Sequence, residues 1–365
     1  MILPSTVDER LREENLTLWQ IRRVIPKKYL RPDPLRAWLG LVRVLGCMIS
    51  CLYLLSLVRL GEGIELVWQV PALVSLWVLY GWVLVGLFVI GHDCGHYAFS
   101  RRKWVNDLVG YLCMSPLANS LHSWRLTHHH HHVYTQLRGQ EVDWAANLVT
   151  QKEFKSLNWK HASMTRLGYH LPFGIFLWII WNTVRRGVMV RTLLTPNQAA
   201  KEGRKLWCSN AIMLISLLTV YGGLGYFYGL WGMLKYHGIP ATIAMISGSL
   251  IITIQHANPH SLLYEKSGWT SVRGQLASTF DVRFPAWMEY LWCHINIHIP
   301  HHISPVIPWY YLKEVSQCIQ AAYAGYYQEQ NFSLRHLIWF YRTPFLKQVD
   351  GKGYYILESL QKQKG

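Results

Sequence analysis

The chain has 365 residues, of which 51% are hydrophobic and only 15% are charged. Soluble domains usually carry about a quarter charged residues, so this composition excludes an ordinary soluble protein and favours a membrane protein. The chain has 36 Lys and Arg residues against 20 Asp and Glu residues. These basic residues are scattered and no recognition motif accompanies them, which argues against nucleic acid as a partner. The excess fits two compatible accounts: a positive-inside bias on anionic lipid and a docking surface for an acidic electron-transfer protein.

Apolar runs predict four membrane helices, because a span needs about 20 mostly apolar residues. The predicted spans are 37–60, 66–91, 206–228 and 236–256. They pair as two hairpins, the second with a short link around Lys235 and a glycine-rich segment that indicates a turn. The apolar stretch 171–184 is too short to span and is predicted to lie in the interface or to re-enter.

Charge placement orients these helices. Residues 1–36 and 101–205 carry many Lys and Arg, whereas the short connections carry almost none. The positive-inside rule therefore places both termini and the central segment on the cytoplasmic side. Met1 to Leu30 lacks the apolar core of a secretory signal. The predicted fold is an all-α integral membrane protein of one domain, 1–365, with a cytoplasmic helical cap formed by 92–205 and 257–365.

Three histidine clusters each follow an apolar run. They read His92-Asp-Cys-Gly-His96, His128-His-His-His131-His132 and His298-Ile-Pro-His301-His302. Residues at i, i+3 and i+4 share one face of a helix, so the five-histidine run should turn His129 and His130 away from the other three. Pro300 is tolerated only in a first helical turn, which predicts a helix start at His298.

The number of clustered histidines predicts a two-metal site. Zinc sites usually take three or four ligands, whereas these clusters supply eight imidazoles, which suit iron, zinc or copper. His256 is a ninth candidate, because it ends the fourth predicted span at the same membrane face. Thiolate ligation by Cys94 or Cys293 is not expected, since neither repeats the histidine spacing. The seven cysteines form no C-x-x-C pair and are predicted to be reduced.

Several further side chains are candidates for supporting roles. Asp93 is interpreted either as an acceptor that orients His92 or His96 or as a solvated carboxylate at a helix end. Trp124 and Arg125 are predicted to meet the substrate head group or an electron donor. The histidines near the clusters but outside their spacing are candidates for hydrogen bonding to the ligands: His122, His260 and His294.

The motifs H-D-x-x-H, H-x-x-H-H and H-x-x-H-H resemble those of the membrane fatty acid desaturases. The segments GHDCGH, KWVNDLVG, HSWRLTH and INIHIPHH are most similar to the acyl-lipid Δ12 (omega-6) desaturases of cyanobacteria and plastids, and the resemblance spans roughly residues 15–312. The resemblance implies two non-haem irons, O2 as co-substrate, and electrons from ferredoxin or, alternatively, cytochrome b5. It implies iron ligation by all nine histidines: His92, His96, His128, His131, His132, His256, His298, His301 and His302.

The resemblance thus implies an oxygen-dependent acyl-lipid desaturase, and we expect it to convert oleoyl to linoleoyl chains of membrane glycerolipids. The enzyme is expected to be multi-pass, with a cytoplasmic active site, in a thylakoid or plasma membrane if cyanobacterial. Tyr311 and Cys293 depart from the family pattern, which commonly has Asn and His there, and the chain after Leu312 resembles it poorly. Alternatives are a related fatty acid hydroxylase, alkane hydroxylase or carotenoid ketolase, and a histidine-rich metal transporter, which would place ionisable groups near the bilayer midplane.

Overall fold

The computed structural model describes residues 3–63, 65–142, 148–168, 190, 194–258, 261–341, 345–349, 351 and 353–358. These residues are mostly helical, as predicted. The α-helices are α1 Pro4–Glu13, α2 Leu18–Arg22, α3 Pro34–Leu57, α4 Leu66–Gly95, α5 Lys103–Met114, α6 Leu121–Tyr134, α7 Gln151–Ser156, α8 Trp159–Gly168, α9 Pro196–Met233, α10 Ile239–His256, α11 Ser271–Leu276, α12 Ala286–Leu291, α13 Ile299–Ile303, α14 Leu312–Tyr323 and α15 Leu334–Tyr341. Short 3-10 turns cover Lys27–Leu30, Ser115–Leu117, Trp309–Tyr311 and Ala324–Tyr326.

Helices occupy all four positions at which the apolar runs predict spans. α3 begins at Pro34 behind Asp33, whose side chain accepts a hydrogen bond from the backbone N–H of Arg36 (3.2 Å). α4 continues one turn past the predicted end at 91, and α9 begins well before 206. By length and apolar composition, three helical stretches among the described residues could cross a membrane: Pro34–Leu57, Leu66–Gly95 and the continuous run Pro196–His256. The stretch 171–184 lies outside the described residues.

The continuous run folds back on itself at Gly229. Its φ of 64° and ψ of −168° lie in a region that essentially only glycine occupies. A straight helix would separate Tyr221 from His237 by about 24 Å, yet the Tyr221 hydroxyl lies 3.1 Å from Nδ1 of His237. The glycine-rich segment therefore contains the turn, which lies six residues before Lys235. Lys235 lies in a π-helical turn, Leu234–Gly238, that leads into α10.

Contacts at the two ends of these helices show how they are arranged. At one end, the Lys235 ammonium donates to the backbone carbonyl of Val58, just after α3 (2.6 Å). At the other end, near the start of α9, Glu202 contacts His122 of α6 (2.8 Å between Oε2 and Nε2). The starts of α3 and α9 and the ends of α4 and α10 therefore lie at the same end of the helix group. All three histidine clusters lie at that end.

α4 is central to this packing and contacts α3, α5 and α10. Its last turn approaches α6 closely because Gly95 has no side chain. A Cβ atom built at Gly95 would lie 2.2 Å from a ring carbon of Trp124. This close approach brings the first histidine cluster, at the end of α4, next to the second cluster on α6.

Two small sheets in the part of the chain that the structure describes are a correction to the all-α prediction. The strands are β1 Val149–Thr150, β2 Leu262–Tyr264, β3 Asp281–Arg283, β4 Glu329–Asn331, β5 Phe345–Val349 and β6 Tyr354–Glu358. One sheet has the order β1-β5-β6-β2, with β6 antiparallel to both neighbours and β1 parallel to β5. In the other, β3 and β4 pair in parallel, with Asp281 opposite Glu329. Strands this short show no usable alternation in the sequence.

Candidate metal centre

Helix ends bring the histidine clusters together. His92 lies in the last turn of α4 and His96 caps it. His256 is the last residue of α10. His298 is the N-cap of α13, with Pro300 in the first turn, so the predicted helix start is confirmed. His92, His96, His256 and His298 therefore all lie at helix ends.

Eight of the nine histidines form two groups of four. Within each group every imidazole offers one nitrogen, and these four nitrogens all lie within 4.8 Å of one another. The first group is His92, His96, His128 and His301, and the second is His131, His256, His298 and His302. Every cluster contributes to both groups except the one on α4, whose place in the second group is taken by His256.

The ninth histidine, His132, lies between the groups. Its Nε2 is 3.0 Å from Nε2 of His128 in the first group. Its ring centroid is 4.6 Å from that of His301 and 4.5 Å from that of His302, which belong to different groups. His132 is therefore positioned to interact with an ion in either group.

The five-histidine run divides as the helical spacing predicts. His128, His131 and His132 are buried, whereas His129 is exposed. His130 turns aside, with Nε2 3.1 Å from the backbone carbonyl of Gln140. Only one face of α6 therefore meets the other histidine clusters.

The chemistry of these donors fits metal cations. Burial lowers the pKa of His128, His132 and His301 well below the usual range, and neighbouring imidazoles lower it further. At neutral pH these rings are uncharged and offer lone pairs. The Nε2 atoms of His96 and His301 are buried and have no hydrogen-bond partner in the described part of the chain. Buried polar atoms are rarely left unsatisfied, and bound cations would satisfy these.

Two hydrogen bonds orient imidazoles of the second group. Nδ1 of His131 lies 2.8 Å from Oε1 of Glu141, and both side chains are buried. Nδ1 of His302 lies 2.6 Å from Oε1 of Gln275. An acceptor at Nδ1 keeps the proton there and leaves Nε2 free to bind a metal. The sequence reasoning missed Glu141 and Gln275, because neither stands at a regular spacing from a histidine.

Asp281, also missed, holds the start of α13. Its Oδ1 accepts hydrogen bonds from the backbone N–H groups of His298 (2.7 Å) and Ile299 (2.9 Å), and the Tyr327 hydroxyl donates to Oδ2. Burial raises the pKa of Asp281 to about 6, although these hydrogen bonds oppose the rise. The carboxylate caps the helix N-terminus that carries the third cluster. No sequence signal linked it to residues 17 positions away.

Asp93 lies beside His92 and not beside His96. Its Oδ1 is 3.4 Å from Nδ1 of His92, and its Oδ2 accepts a hydrogen bond from the backbone N–H of Trp309 (2.8 Å). The side chain is buried, so the interpretation as a solvated helix-end carboxylate is wrong. Asp93 connects the first histidine group to the chain segment that follows the third cluster.

The prediction that Trp124 and Arg125 meet a head group or donor is not supported by their surroundings. Trp124 is 3% exposed and stacks on His128, with ring centroids 4.3 Å apart. Arg125 donates from Nε to the backbone carbonyl of Gly95 (2.9 Å) and from Nη2 to Asp107 (2.8 Å). Both side chains brace the junction of α4 and α6 instead. The cause is the close helix approach at Gly95.

The remaining candidates lie outside both histidine groups. His122 bonds to Glu202 of α9, and burial lowers its pKa despite the opposing effect of that carboxylate. His294 stacks on Trp309 (6.1 Å between centroids), and His260 lies outside the described residues. The thiol of Cys293 lies 3.0 Å from Nη2 of Arg43, and burial raises its pKa to about 12. All seven cysteines are free, and neither histidine group includes a thiol.

Two groups of clustered histidines beside long apolar helices are typical of a histidine-rich metal site in a membrane protein. A sequence model of the family "Fatty acid desaturase" matches residues 66–333, and the chain belongs to this family.

Relatives with known names agree with this assignment. An "sn-1 oleoyl-lipid 12-desaturase" of Picosynechococcus is 30% identical, over 91% of this chain and 90% of its own length. A chloroplastic "Omega-6 fatty acid desaturase" of Brassica napus is 31% identical, over 86% of this chain and 66% of its own. An "sn-1 acyl-lipid omega-3 desaturase (ferredoxin)" of Nostoc is 26% identical, over 72% of this chain and 71% of its own.

Proposed function

We propose that this chain is an acyl-lipid Δ12 desaturase that converts oleoyl chains of membrane glycerolipids to linoleoyl chains. The observation that carries the proposal is the pair of buried groups of four histidines. The relatives named for 12- and omega-6 desaturation support the position of the double bond. Removal of hydrogens from a saturated CH2–CH2 unit needs a strong oxidant, which side-chain acids and bases do not provide.

Two non-haem irons would be held by the two histidine groups. When bound, they supply the oxidising power that O2 chemistry at an unactivated carbon requires. All-nitrogen ligation differs from the carboxylate-rich sites of soluble di-iron bundles. We assign the nine histidines as the ligand set, with His132 shared between the groups or held by one of them.

The chain's own residues bind and orient this centre and exclude water from it. Glu141 and Gln275 hold the Nδ1 protons of His131 and His302. Asp93 has the same relationship to His92, at the longer distance of 3.4 Å. The burial of the histidine groups keeps bulk water from the reacting carbons and limits side reactions.

We further propose the membrane arrangement that the charges indicate. In it, 37–60, 66–91, 206–228 and 236–256 cross the bilayer as two hairpins of one domain, 1–365. The cap, 92–205 and 257–365, carries the centre on the cytoplasmic side. Support comes from the ends of α4 and α10, which bring His92 and His256 to the same end of the helix group.

A separate protein is proposed to supply electrons. The name of the Nostoc relative specifies ferredoxin, and the net charge of +16 favours an acidic partner. Cytochrome b5 is the alternative donor. The two are distinguished by supplying each, reduced, to the purified enzyme.

The proposed function is tested by expressing the chain in a host that lacks polyunsaturated lipid and measuring its fatty acids by mass. Linoleoyl chains are expected. An apolar slot alone distinguishes binding positions that differ by one methylene by only about 1–3 kcal/mol, so the bend of a cis-9 double bond is needed to set where the chain sits. Stearoyl chains should be poor substrates. Expression of His131→Ala is the matched control. A hydroxylated product, or double bonds at position 9 or 15 only, would contradict the assignment.

A further inference from the structure

A chain of aromatic rings leads from the surface to the first histidine group. The centroids of Tyr29 and Tyr311 are 5.0 Å apart, those of Tyr311 and Tyr310 are 4.8 Å apart, and those of Tyr310 and Trp309 are 5.4 Å apart. The three tyrosines are half-buried, whereas Trp309 is 6% exposed. The series therefore runs from partly solvated rings to a ring in the interior.

The inner end of this series is connected to a histidine of the metal centre. The backbone N–H of Trp309 donates to Oδ2 of Asp93 (2.8 Å). The other oxygen of Asp93 lies 3.4 Å from Nδ1 of His92. Each step from Tyr29 to His92 is thus a ring contact, a covalent segment or a polar contact, without an intervening gap across solvent.

Two basic side chains lie over the outer rings. The ammonium of Lys28 lies 4.8 Å from the Tyr29 ring centroid, and Arg36 lies over Tyr311 at 5.1 Å. Lys28 and Lys313 are exposed. We call Tyr29, Tyr310, Tyr311, Lys28 and Lys313 the aromatic–basic patch.

Acidic groups at the patch are few and are already engaged. Asp33 and Glu314 lie 4.0 Å and 3.9 Å from the guanidinium of Arg36. No acidic side chain within 4.0 Å of Lys28 or Lys313 is found in the part of the chain that the structure describes. Lys28 therefore presents unneutralised positive charge beside the Tyr29 ring, and Lys313 adds a second exposed positive charge two residues along the chain from Tyr311.

We propose that the aromatic–basic patch docks an acidic one-electron carrier of the iron–sulfur class, and that its electrons reach the centre through Trp309 and Asp93. This inference rests on the proposed desaturase function. Opposite charges favour encounter and fix the orientation of the carrier. Tyrosines and lysines are also common at a membrane–water interface. An interfacial role alone, however, would not require the rings to continue inward to Asp93, a buried carboxylate beside His92.

The electron balance requires such a carrier. Formation of one C=C bond breaks two C–H bonds and releases two electrons and two protons from the acyl chain. Reduction of O2 to two waters takes four electrons and four protons. Two reduced carriers, each oxidised by one electron, supply the remaining electrons, and solvent supplies the remaining two protons.

Docking is tested by direct binding of a [2Fe–2S] ferredoxin to the full chain in lipid nanodiscs. The charge-reversed variant Lys28→Glu/Lys313→Glu should weaken binding by roughly tenfold or more at low salt. The control Lys152→Glu/Lys155→Glu makes the same charge change at exposed positions of α7 and should change Kd by less than about twofold. Equal loss in both variants, or no loss in the first, overturns the docking site.

The electron route is tested separately by the rate at which reduced ferredoxin is reoxidised at saturation. At saturating ferredoxin, where a change in Kd no longer limits the rate, Tyr311→Leu should slow reoxidation several-fold, whereas Tyr53→Leu, at an exposed position of α3, should not. Equal rates overturn the route.

If the lysine variants alter only the anionic lipid that co-purifies, the patch is a lipid surface and docking is overturned. Ferredoxin binding at the patch without any desaturated product would instead overturn the proposed function alone.

Discussion

Glu141 lies 2.8 Å from His131, with its Oε1 at Nδ1 of the imidazole, and both side chains are 1% exposed. The carboxylate also accepts a hydrogen bond from the backbone N–H of Gln136 (3.2 Å), which fixes its position. A histidine ligand held by a buried carboxylate has one tautomer and raised basicity. The second histidine group therefore depends on a residue that is not itself a proposed ligand.

Replacing Glu141 should weaken metal binding without removing a ligand. Glu141→Gln keeps the shape but loses the charge, so we expect metal affinity to fall roughly 10- to 100-fold. Metal content after stepwise chelation measures this. Glu153→Gln is the matched control, because Glu153 pairs with Arg138 near the surface (2.6 Å). Equal metal loss in both variants would contradict a specific role for Glu141.

The two faces of α6 should differ in their effect on metal content. His131→Ala removes one member of the second group, so bound metal should fall from two ions toward one and desaturation should be lost. His129→Ala changes an exposed side chain on the other face and should keep both ions. Metal analysis and fatty acid analysis of the two variants decide this, and equal losses would show that the facing argument is wrong.

Iron is the expected metal. Purified protein should hold about two irons per chain. A single metal site usually takes three or four protein ligands, and eight of the nine histidines form two groups of four. Elemental analysis alongside an activity assay measures this. Active protein that contains one tightly bound zinc and no iron would exclude the di-iron proposal.

The close approach of α4 and α6 should be sensitive to one methyl group. Gly95→Ala places a Cβ 2.2 Å from the Trp124 ring, so we expect a loss of about 1–3 kcal/mol in stability together with reduced metal retention. Gly46→Ala in α3 meets nothing within 4 Å and should be neutral or stabilising by up to about 1 kcal/mol. Thermal unfolding of both variants is the measurement. Equal melting temperatures would contradict the packing argument.

Electron delivery by a protein donor should depend on salt. Exposed charges are screened beyond about 8–10 Å at physiological ionic strength, so turnover limited by ferredoxin should fall as salt rises. A small uncharged reductant serves as the control and should give a rate that salt does not change. A ferredoxin-limited rate independent of salt would argue against electrostatic docking.

Local patterns predicted the helices and the facing histidines for clear reasons. The apolar runs ended at His92, in the last turn of α4, and at His256, the last residue of α10, because a membrane-spanning run ends where polar side chains begin. The spacing on α6 excluded His129, because helical periodicity is a property of the local chain. The turn at Gly229 was foreseen only as a glycine-rich region, since several glycines there have the same conformational freedom.

Predictions failed where a side chain's role depended on a distant neighbour. Trp124 and Arg125 were expected to meet a head group or an electron donor. The close approach at Gly95 instead buries Trp124 against α4 and lets Arg125 donate to the backbone carbonyl of Gly95. Asp281 caps His298 from a strand that pairs with β4, near position 329. Short strands and long-range hydrogen bonds leave no periodic trace in the sequence.

The sequence by itself determined which histidines share a helix face, where apolar helices run, and that two metals are a better expectation than one. Only the tertiary structure decided how the histidines divide into two groups, that His132 lies between them, and that Glu141 and Gln275 orient His131 and His302. The physical reason is range. Helical facing follows from bonds within a few residues. Each histidine group, in contrast, joins segments separated by more than a hundred residues, and their meeting depends on the packing of whole helices.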